Sequence, residues 1–248
     1  RSGMTFKSTS RLLRAAFGMK RAPAVALLIN SPGGSPVQSA LITSRIRELA
    51  AEKEKPVIAF VEDVAASGGY WLACAGDEIY ADRSSIIGNI GVIAAGFGFT
   101  DAIQRLGIQR RVYTTGPHKG LLDPFRPENE GDIAILKDIQ GEIYEAFKEH
   151  VRNRRGDKLK LEDGKLFDGR VWGGKGAVEG GLIDGLGHPI AVLKERFGKD
   201  VRIRLLEPRG SWLARRFGGS EQRSWAADIA EETLASLEAR MMWQRYGL

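Results

Sequence analysis

Residues Asp63–Trp71 read Asp-Val-Ala-Ala-Ser-Gly-Gly-Tyr-Trp, and the apolar run Val57–Val61 stands just before them. The run has the length and β-branched content of a buried strand, and the residues from Tyr70 onward favour a helix. Ser67 is therefore predicted where a strand turns into a helix, a place where free N–H groups and the helix dipole favour negative charge. The glycines behind it allow a sharp turn. This stretch taken by itself is explained equally well by a serine that caps the helix and has no catalytic role.

A second strand is predicted on the N-terminal side, over the continuous apolar run Ala24–Ile29. It leads into a turn rich in proline and glycine at residues 30–36. Ser35 as the N-cap and Pro36 at the first helical position then begin a helix that runs to about Lys53. Strand, turn and helix thus precede the central stretch in the order that an α/β unit requires.

The remaining elements continue this alternation. Further strands are predicted at Glu78–Ala81, Arg111–Thr114 and Val201–Leu205, with flat strands and turns in the glycine-rich segment Ser85–Phe99. Further helices are predicted at Arg11–Phe17, Thr100–Leu106, Glu128–Arg154, Ile190–Phe197 and Ser224–Met242. The pattern indicates an α/β fold with a largely parallel core sheet. Because the composition changes near Pro208, we predict one domain over residues 1–207 and a C-terminal helical extension over residues 208–248.

Composition narrows the class of protein. The 248 residues are 43% hydrophobic, which is enough for one sizeable core. A single cysteine, Cys74, excludes a disulfide framework, fits a reducing compartment and is predicted to be a buried small hydrophobe. No stretch approaches the roughly 18 apolar residues of a membrane-spanning helix. We therefore expect a location in the cytoplasm or at the periphery of the inner membrane.

The basic charge is concentrated at one end. The net charge is +6, and residues 1–21 alone carry six basic residues and no acidic one. Nucleic-acid binding is not expected, because such proteins place basic residues with interleaved aromatics on a recognition element. The basic segment, together with the arginine- and tryptophan-containing residues 209–217, suits an anionic membrane surface. The alternative for residues 209–217 is packing against a neighbouring subunit.

A serine nucleophile needs a base, and histidine is the usual one. Of the three histidines, His150 is predicted on a solvated helix face and His188 in a turn. His118 lies in the loop at residues 116–127, and a triad of Ser67, His118 and Asp63 is conceivable.

Lys119 is the other candidate base. It lies in the same loop between glycines and prolines, and no acidic residue stands within three positions of it. A lysine can accept a proton only when it is neutral, which a dry site away from carboxylates favours. A surface lysine without chemistry is the ordinary alternative for any single loop lysine.

An acyl-transfer site also needs two N–H donors for the oxyanion. The N–H group of Gly68, next to Ser67, is one candidate. The glycine turn at residues 31–34 is the second, because consecutive parallel strands end at the same edge of a sheet. The two turns are therefore expected to meet there.

Several ordered motifs together resemble the signal peptide peptidase A family, also called the protease IV family. They are Leu-Leu-Ile-Asn-Ser-Pro-Gly-Gly-Ser-Pro at 27–36, Ala-Ala-Ser-Gly-Gly-Tyr-Trp at 65–71, Gly-Asn-Ile-Gly-Val at 88–92, Lys-Gly-Leu-Leu-Asp-Pro-Phe-Arg at 119–126, Phe-Asp-Gly-Arg at 167–170 and Gly-Leu-Ile-Asp at 181–184. The resemblance covers roughly residues 20–200. It implies a fold of stacked ββα units similar to the proteolytic subunit of Clp and to crotonases.

The resemblance also implies a serine–lysine peptidase without metal or cofactor. Ser67 would be the nucleophile, Lys119 the general base, and Gly34 and Gly68 the oxyanion donors. The substrate-binding residues would be Gly33, Ile90, Gly91 and Val92. A homo-oligomeric ring is implied as well, and the apolar helix face from Ile135 to Phe147 is expected to supply part of its interface.

Two departures from the family pattern stand out. Asn89 replaces a usual serine, and the first strand and membrane anchor expected upstream are absent from this chain. Two other functions use the same scaffold, a catalytically inactive ring-forming protein and a crotonase-like acyl-CoA enzyme that stabilises a thioester enolate. Because Ser67 and Lys119 are both present, we favour a serine endopeptidase acting on signal-peptide remnants or unfolded membrane-associated polypeptides.

Overall fold

A computed structural model describes residues 4–207, and these residues are built around one six-stranded sheet. Its strands are β1 (Val25–Ser31), β2 (Val57–Ala66), β3 (Glu78–Ala81), β4 (Ile86–Gly88), β5 (Val171–Gly173) and β6 (Gly185–Leu186). The strand order is β5-β4-β2-β3-β6, and β1 pairs with the other edge of β2. Only the β4–β5 pair is antiparallel. The predicted α/β fold with a largely parallel core sheet is confirmed.

The central strand β2 organises the sheet. It pairs with β1 on one side, and on the other side first with β3 and then with β4. Eight of its ten residues are buried, as the run of valine, isoleucine and alanine predicts for a strand covered on both faces. It extends five residues beyond the predicted Val61 and delivers Ser67 directly at its end.

Eight helices surround the sheet within residues 4–207. They are α1 (Phe6–Phe17), α2 (Pro36–Lys53), α3 (Gly68–Ala73), α4 (Thr100–Arg105), α5 (Glu130–Arg155), α6 (Asp163–Leu166), α7 (Gly174–Glu179) and α8 (Pro189–Phe197). The longest, α5, begins where the Asn129 side chain accepts a hydrogen bond from the Asp132 N–H. It ends at buried Arg155, whose guanidinium binds the Asp184 carboxylate at 2.8 Å.

Two predicted strands are wrong. Residues 111–114 and 201–205 have no regular secondary structure, and their side chains are mostly exposed. The first of them lies in the arm, as we call residues 93–129, which leaves the sheet after β4 and returns at α5. An alternating pattern forms a strand only beside a partner strand, and neither segment pairs with one.

The main core lies between the sheet and helices α1, α2, α3 and α5. Cys74 is buried there, as predicted, and burial raises the pKa of its thiol to about 12, so it stays protonated. Among residues 4–207, no helix has both the length and the apolarity needed to cross a bilayer. The predicted helix Ser224–Met242 and the rest of the C-terminal extension lie outside the described residues.

Candidate active site

Ser67 occupies a strained turn between β2 and α3. Its φ of 52° and ψ of −123° fall in a region that non-glycine residues rarely adopt. Two hydrogen bonds hold it, from the Ser67 N–H to the Gly88 carbonyl (2.8 Å) and from the Trp71 N–H to the Ser67 carbonyl (3.0 Å). The side chain is half-buried. The turn is thus fixed by the sheet on one side and by the helix on the other.

The glycine turn after β1 lies against Ser67. Gly33 and Gly34 have φ values of 134° and 150°. A methyl group on Gly33 would come within 3.1 Å of the Ser67 Cβ, and one on Gly68 within 3.4 Å of the Gly34 nitrogen. The backbones of Gly34 and Gly68 therefore lie close together, next to the serine. The first N–H groups of a helix have no acceptor within that helix, and Gly68 is the first residue of α3.

Ser67 lies on the wall of two adjoining cavities, of about 220 and 390 Å³. The smaller is lined by Pro32, Gly33, Gly34, Pro36, Ser67, Gly68, Trp71, Asn89, Gly91, Val92, Ile93, Ile143 and Phe147. The larger is lined by Ser67, Asn89, Ile90, Gly91, Val92, Ile93, Gln140, Gly141, Tyr144, Phe167, Asp168 and Gly169. Ser67, the two turn glycines and the residues expected to bind substrate are thus brought together.

Helix α5 also lines both cavities, which the sequence did not predict. Ile143 and Phe147 line the smaller cavity, and Gln140, Gly141 and Tyr144 line the larger one. Ile143 and Phe147, which the sequence pattern assigned to an oligomer interface, line the cavity beside Ser67, and the homo-oligomer itself stays a prediction. Their four-residue spacing indicated a buried helix face but not what it is buried against.

His150 supports the cavity wall from behind. Its ring stacks on Trp71 with 4.9 Å between centroids, and its Nε2 lies 3.1 Å from the Trp71 carbonyl oxygen. Burial lowers the pKa of His150 to about 4, and nearby Arg154 acts in the same direction against the hydrogen bond. The prediction of a solvated face for His150 is therefore wrong. The basic residues next to it in the sequence suggested exposure, and the contact with Trp71 of α3 could not be read from them.

The two candidate bases both lie on the arm. Lys119 is exposed in a turn and is not among the residues that line either cavity. His118 is also exposed, and its Nδ1 lies 3.5 Å from an Asp132 carboxylate oxygen. Asp63, the third member of the conceivable triad, accepts a hydrogen bond from the Asn30 amide at 2.7 Å. His118 thus has a different acidic partner from the one considered for it.

Comparison with known proteins identifies the family of this chain. A family model described as Peptidase family S49 matches residues 50–197, which include Ser67, Lys119 and α5. The chain belongs to peptidase family S49. The resemblance to the signal peptide peptidase A family is thereby confirmed.

Individual relatives of this S49 chain are longer than it is. It is 48% identical over 255 residues to the protein named Na(+)/H(+) antiporter NhaA from Brucella melitensis biotype 1, covering all of this chain and 34% of that protein. It is 33% identical to the chloroplastic serine protease SPPA of Arabidopsis thaliana (74% of this chain, 27% of that protein). It is 34% identical to protease 4 of Haemophilus influenzae (72% and 28%). The S49 chain thus spans about a third or less of these relatives.

The rim of the larger cavity carries charge in this S49 chain. The Arg170 side chain donates to the Asp168 carboxylate (Nε–Oδ2 2.7 Å), and this hydrogen bond lowers the pKa of Asp168. The Arg170 carbonyl in turn accepts a hydrogen bond from the Asn89 N–H at 2.8 Å. Asn89 has a φ of 49°, a conformation that asparagine tolerates better than most residues. These contacts hold Asn89, which lines both cavities.

Proposed function

We propose that this chain is a serine endopeptidase in which Ser67 attacks the carbonyl carbon of a peptide bond. The observation that carries the proposal is the position of Ser67. It stands in a strained turn at the end of a buried strand, beside two glycine backbones and on the wall of two cavities. A serine held this way presents its hydroxyl to a substrate lying across both cavities.

The proposed reaction assigns each group one task. As the Ser67 Oγ bonds to the carbonyl carbon, the base takes its proton, and the N–H groups of Gly34 and Gly68 bind the resulting oxyanion. The base then gives the proton to the leaving amine, which departs as the C–N bond breaks. Water hydrolyses the acyl-enzyme in the second half of the reaction and regenerates Ser67.

We assign the general base to Lys119, from the motif at residues 119–126. Because Lys119 lies on the arm and lines neither cavity, the dyad requires the arm to bring it to a Ser67 hydroxyl. The arm leaves the end of β4 and leads into α5, and it contributes no strand to the sheet. Asp123 on the arm is paired with Arg110 at 2.8 Å, and the Asp132 carboxylate lies 3.5 Å from His118, the neighbour of Lys119.

The substrates we propose are signal-peptide remnants or unfolded membrane-associated polypeptides. The smaller cavity supports this class, since Trp71, Ile143 and Phe147 give it an apolar wall. An apolar side chain gains free energy by leaving water for such a wall, at roughly 25 cal/mol per Å² buried. Extended, apolar polypeptides offer such side chains without prior unfolding.

The decisive experiment is labelling with a fluorophosphonate followed by mass spectrometry of the adduct. We expect one adduct, at Ser67, and no peptide hydrolysis by Ser67→Ala. An inactive scaffold or an acyl-CoA enzyme would give no Ser67 adduct and no peptide cleavage, and either result would exclude the peptidase.

The base is tested by three variants. Lys119→Arg should be as inactive as Lys119→Ala, because arginine keeps its proton at any workable pH. His118→Ala should retain most activity, and in wild type the activity should rise with pH as the base loses its proton. Inactive His118→Ala beside active Lys119→Arg would reverse the assignment.

We also propose a peripheral contact with anionic membranes through α1. Lys7, Arg11 and Arg14 lie at i, i+4 and i+7, so they share one side of the helix, and all are exposed. Lys20 and Arg21 follow directly, and within residues 4–207 none of these five forms an ion pair. Such a stripe attracts anionic lipid headgroups at low salt. The second expected contact, residues 209–217, lies outside the described residues.

Sedimentation with phosphatidylserine vesicles tests this contact. We expect binding that weakens as salt rises and that the triple variant Lys7→Gln, Arg11→Gln, Arg14→Gln loses. The matched control removes three exposed charges elsewhere, at Lys137, Lys165 and Lys194. Equal binding by both triple variants, or no binding by wild type, would contradict the proposal.

A further inference from the structure

The larger cavity beside Ser67 has a helix glycine on its wall. Gly141 lies inside α5, where glycine costs about 1 kcal/mol relative to alanine. Its φ is not positive, and a methyl group at this position would meet no atom within 4 Å. Neither a turn nor close packing therefore requires glycine here. Because Gly141 has no side chain, the cavity stays open at this position.

The two cavities differ in chemistry as well as in size. The smaller one has the apolar wall of Trp71, Ile143 and Phe147. The larger one has two polar residues in its lining, Gln140 and Asp168, and the Asp168 carboxylate is paired with Arg170. Because Ser67 lies on the wall of both, a peptide crossing the site would direct side chains from the two sides of the scissile bond into different surroundings.

We propose that Gly141 is a specificity-determining residue, which keeps the larger cavity open for a large, polar-ended substrate side chain on one side of the scissile bond. This rests on the proposed peptidase function. The cavity of about 390 Å³ has room for a side chain such as glutamine or tyrosine. Its polar end would reach the rim, while the stem packs on Val92 and Phe167 at the cavity wall.

The test compares Gly141→Leu with a matched control on the same helix. Ala146→Leu also adds a leucine at an exposed α5 position, and Ala146 lines neither cavity. Peptides that carry alanine, glutamine or tyrosine at each position flanking the cleaved bond are the substrates. For one flanking position, Gly141→Leu should lower the kcat/KM preference for glutamine or tyrosine over alanine by at least about tenfold, chiefly through KM. The control should leave that preference unchanged.

Fluorophosphonate labelling of Ser67 separates the possible failures. Labelling is expected at the wild-type rate in both variants, because the probe is too small to need the larger cavity. An unchanged preference in Gly141→Leu would overturn the assignment, and so would equal loss of all peptides together with labelling, which would show general damage. If wild type neither reacts with the probe nor cleaves peptides, the peptidase function itself fails and this inference falls with it.

Discussion

At the scale of single residues, the Ser67 backbone is the clearest sign of a site built for function. Strain of this kind costs on the order of 1–3 kcal/mol and persists only where surrounding structure enforces it. Here the hydrogen bond from the Ser67 N–H to the Gly88 carbonyl and the start of α3 enforce the strained conformation. The sequence predicted the turn from strand to helix, because an apolar, β-branched run precedes Ser-Gly-Gly and helix-favouring residues follow it. It did not predict that the serine itself would carry the strain.

This strain leads to a prediction about stability. Ser67→Gly and Ser67→Ala both remove the hydroxyl, but only glycine adopts a φ of 52° with a ψ of −123° without strain. We expect both variants to be inactive, and Ser67→Gly to be about 1 kcal/mol more stable than Ser67→Ala. Urea unfolding of the two variants measures the difference. A less stable glycine variant would mean that the turn is relaxed in solution.

His150 gives a prediction about pH at the same scale. In the folded chain its pKa is lowered to about 4, so the ring stays neutral at a pH where the unfolded chain already binds a proton. The free energy of unfolding should therefore fall between about pH 6.5 and pH 4, by on the order of 2 kcal/mol from this group. His150→Phe keeps a ring against Trp71 and cannot titrate, so its loss over the same window should be smaller. Urea unfolding at pH 7 and pH 4.5 checks this, and parallel losses would contradict it.

At the scale of elements, most of the sheet and the helices that flank it followed from sequence patterns. Strand β3 was predicted residue for residue, and α2 was predicted to end where it does, at Lys53. The strand predicted at residues 111–114 is wrong because hydrophobic alternation does not show whether a partner strand is near. The solvated face predicted for His150 is wrong for a related reason, since a contact between α5 and α3 depends on tertiary packing.

The contact between α3 and β1 supports the third prediction. A methyl group on Gly69 would lie 2.3 Å from the Ser31 carbonyl oxygen, a backbone atom that cannot simply rotate away. Gly69→Ala should therefore shift α3, lower the free energy of unfolding by about 1–3 kcal/mol and slow probe labelling of Ser67. Gly141→Ala is the control, since it makes the same change in a helix with open space around it. It should be as stable as wild type or up to about 1 kcal/mol more stable. Equal stability of the two variants would show that α3 tolerates the displacement.

At the scale of the whole molecule, the site is formed by segments that lie far apart in the sequence. Ser67 directly follows β2, the glycine turn follows β1, and residues of α5 between 140 and 147 line the same cavities. Parallel strands end at one edge, so the meeting of the two turns was predictable. The position of α5 was not, because an amphipathic helix fits many surfaces equally well. Lys119 is proposed as the base from its motif alone, and no local sequence pattern predicted the position of the arm.

The arm leads to the last prediction, which concerns assembly. Ile93, Phe97, Leu106 and Tyr113 on the arm are 70, 77, 73 and 91% exposed, an apolar surface that a folded chain seldom leaves in water. We propose that a second copy of the chain covers it and that the same docking brings Lys119 toward that copy's Ser67. We therefore expect a closed homo-oligomer by light scattering at micromolar concentration, and smaller particles for the double variant Phe97→Asp, Tyr113→Asp.

Co-expressed Ser67→Ala and Lys119→Ala chains should regain activity that neither has alone, since each supplies the group that the other lacks. A monomeric wild type would contradict the assembly, and co-assembled but inactive mixtures would mean that Lys119 reaches Ser67 within its own chain.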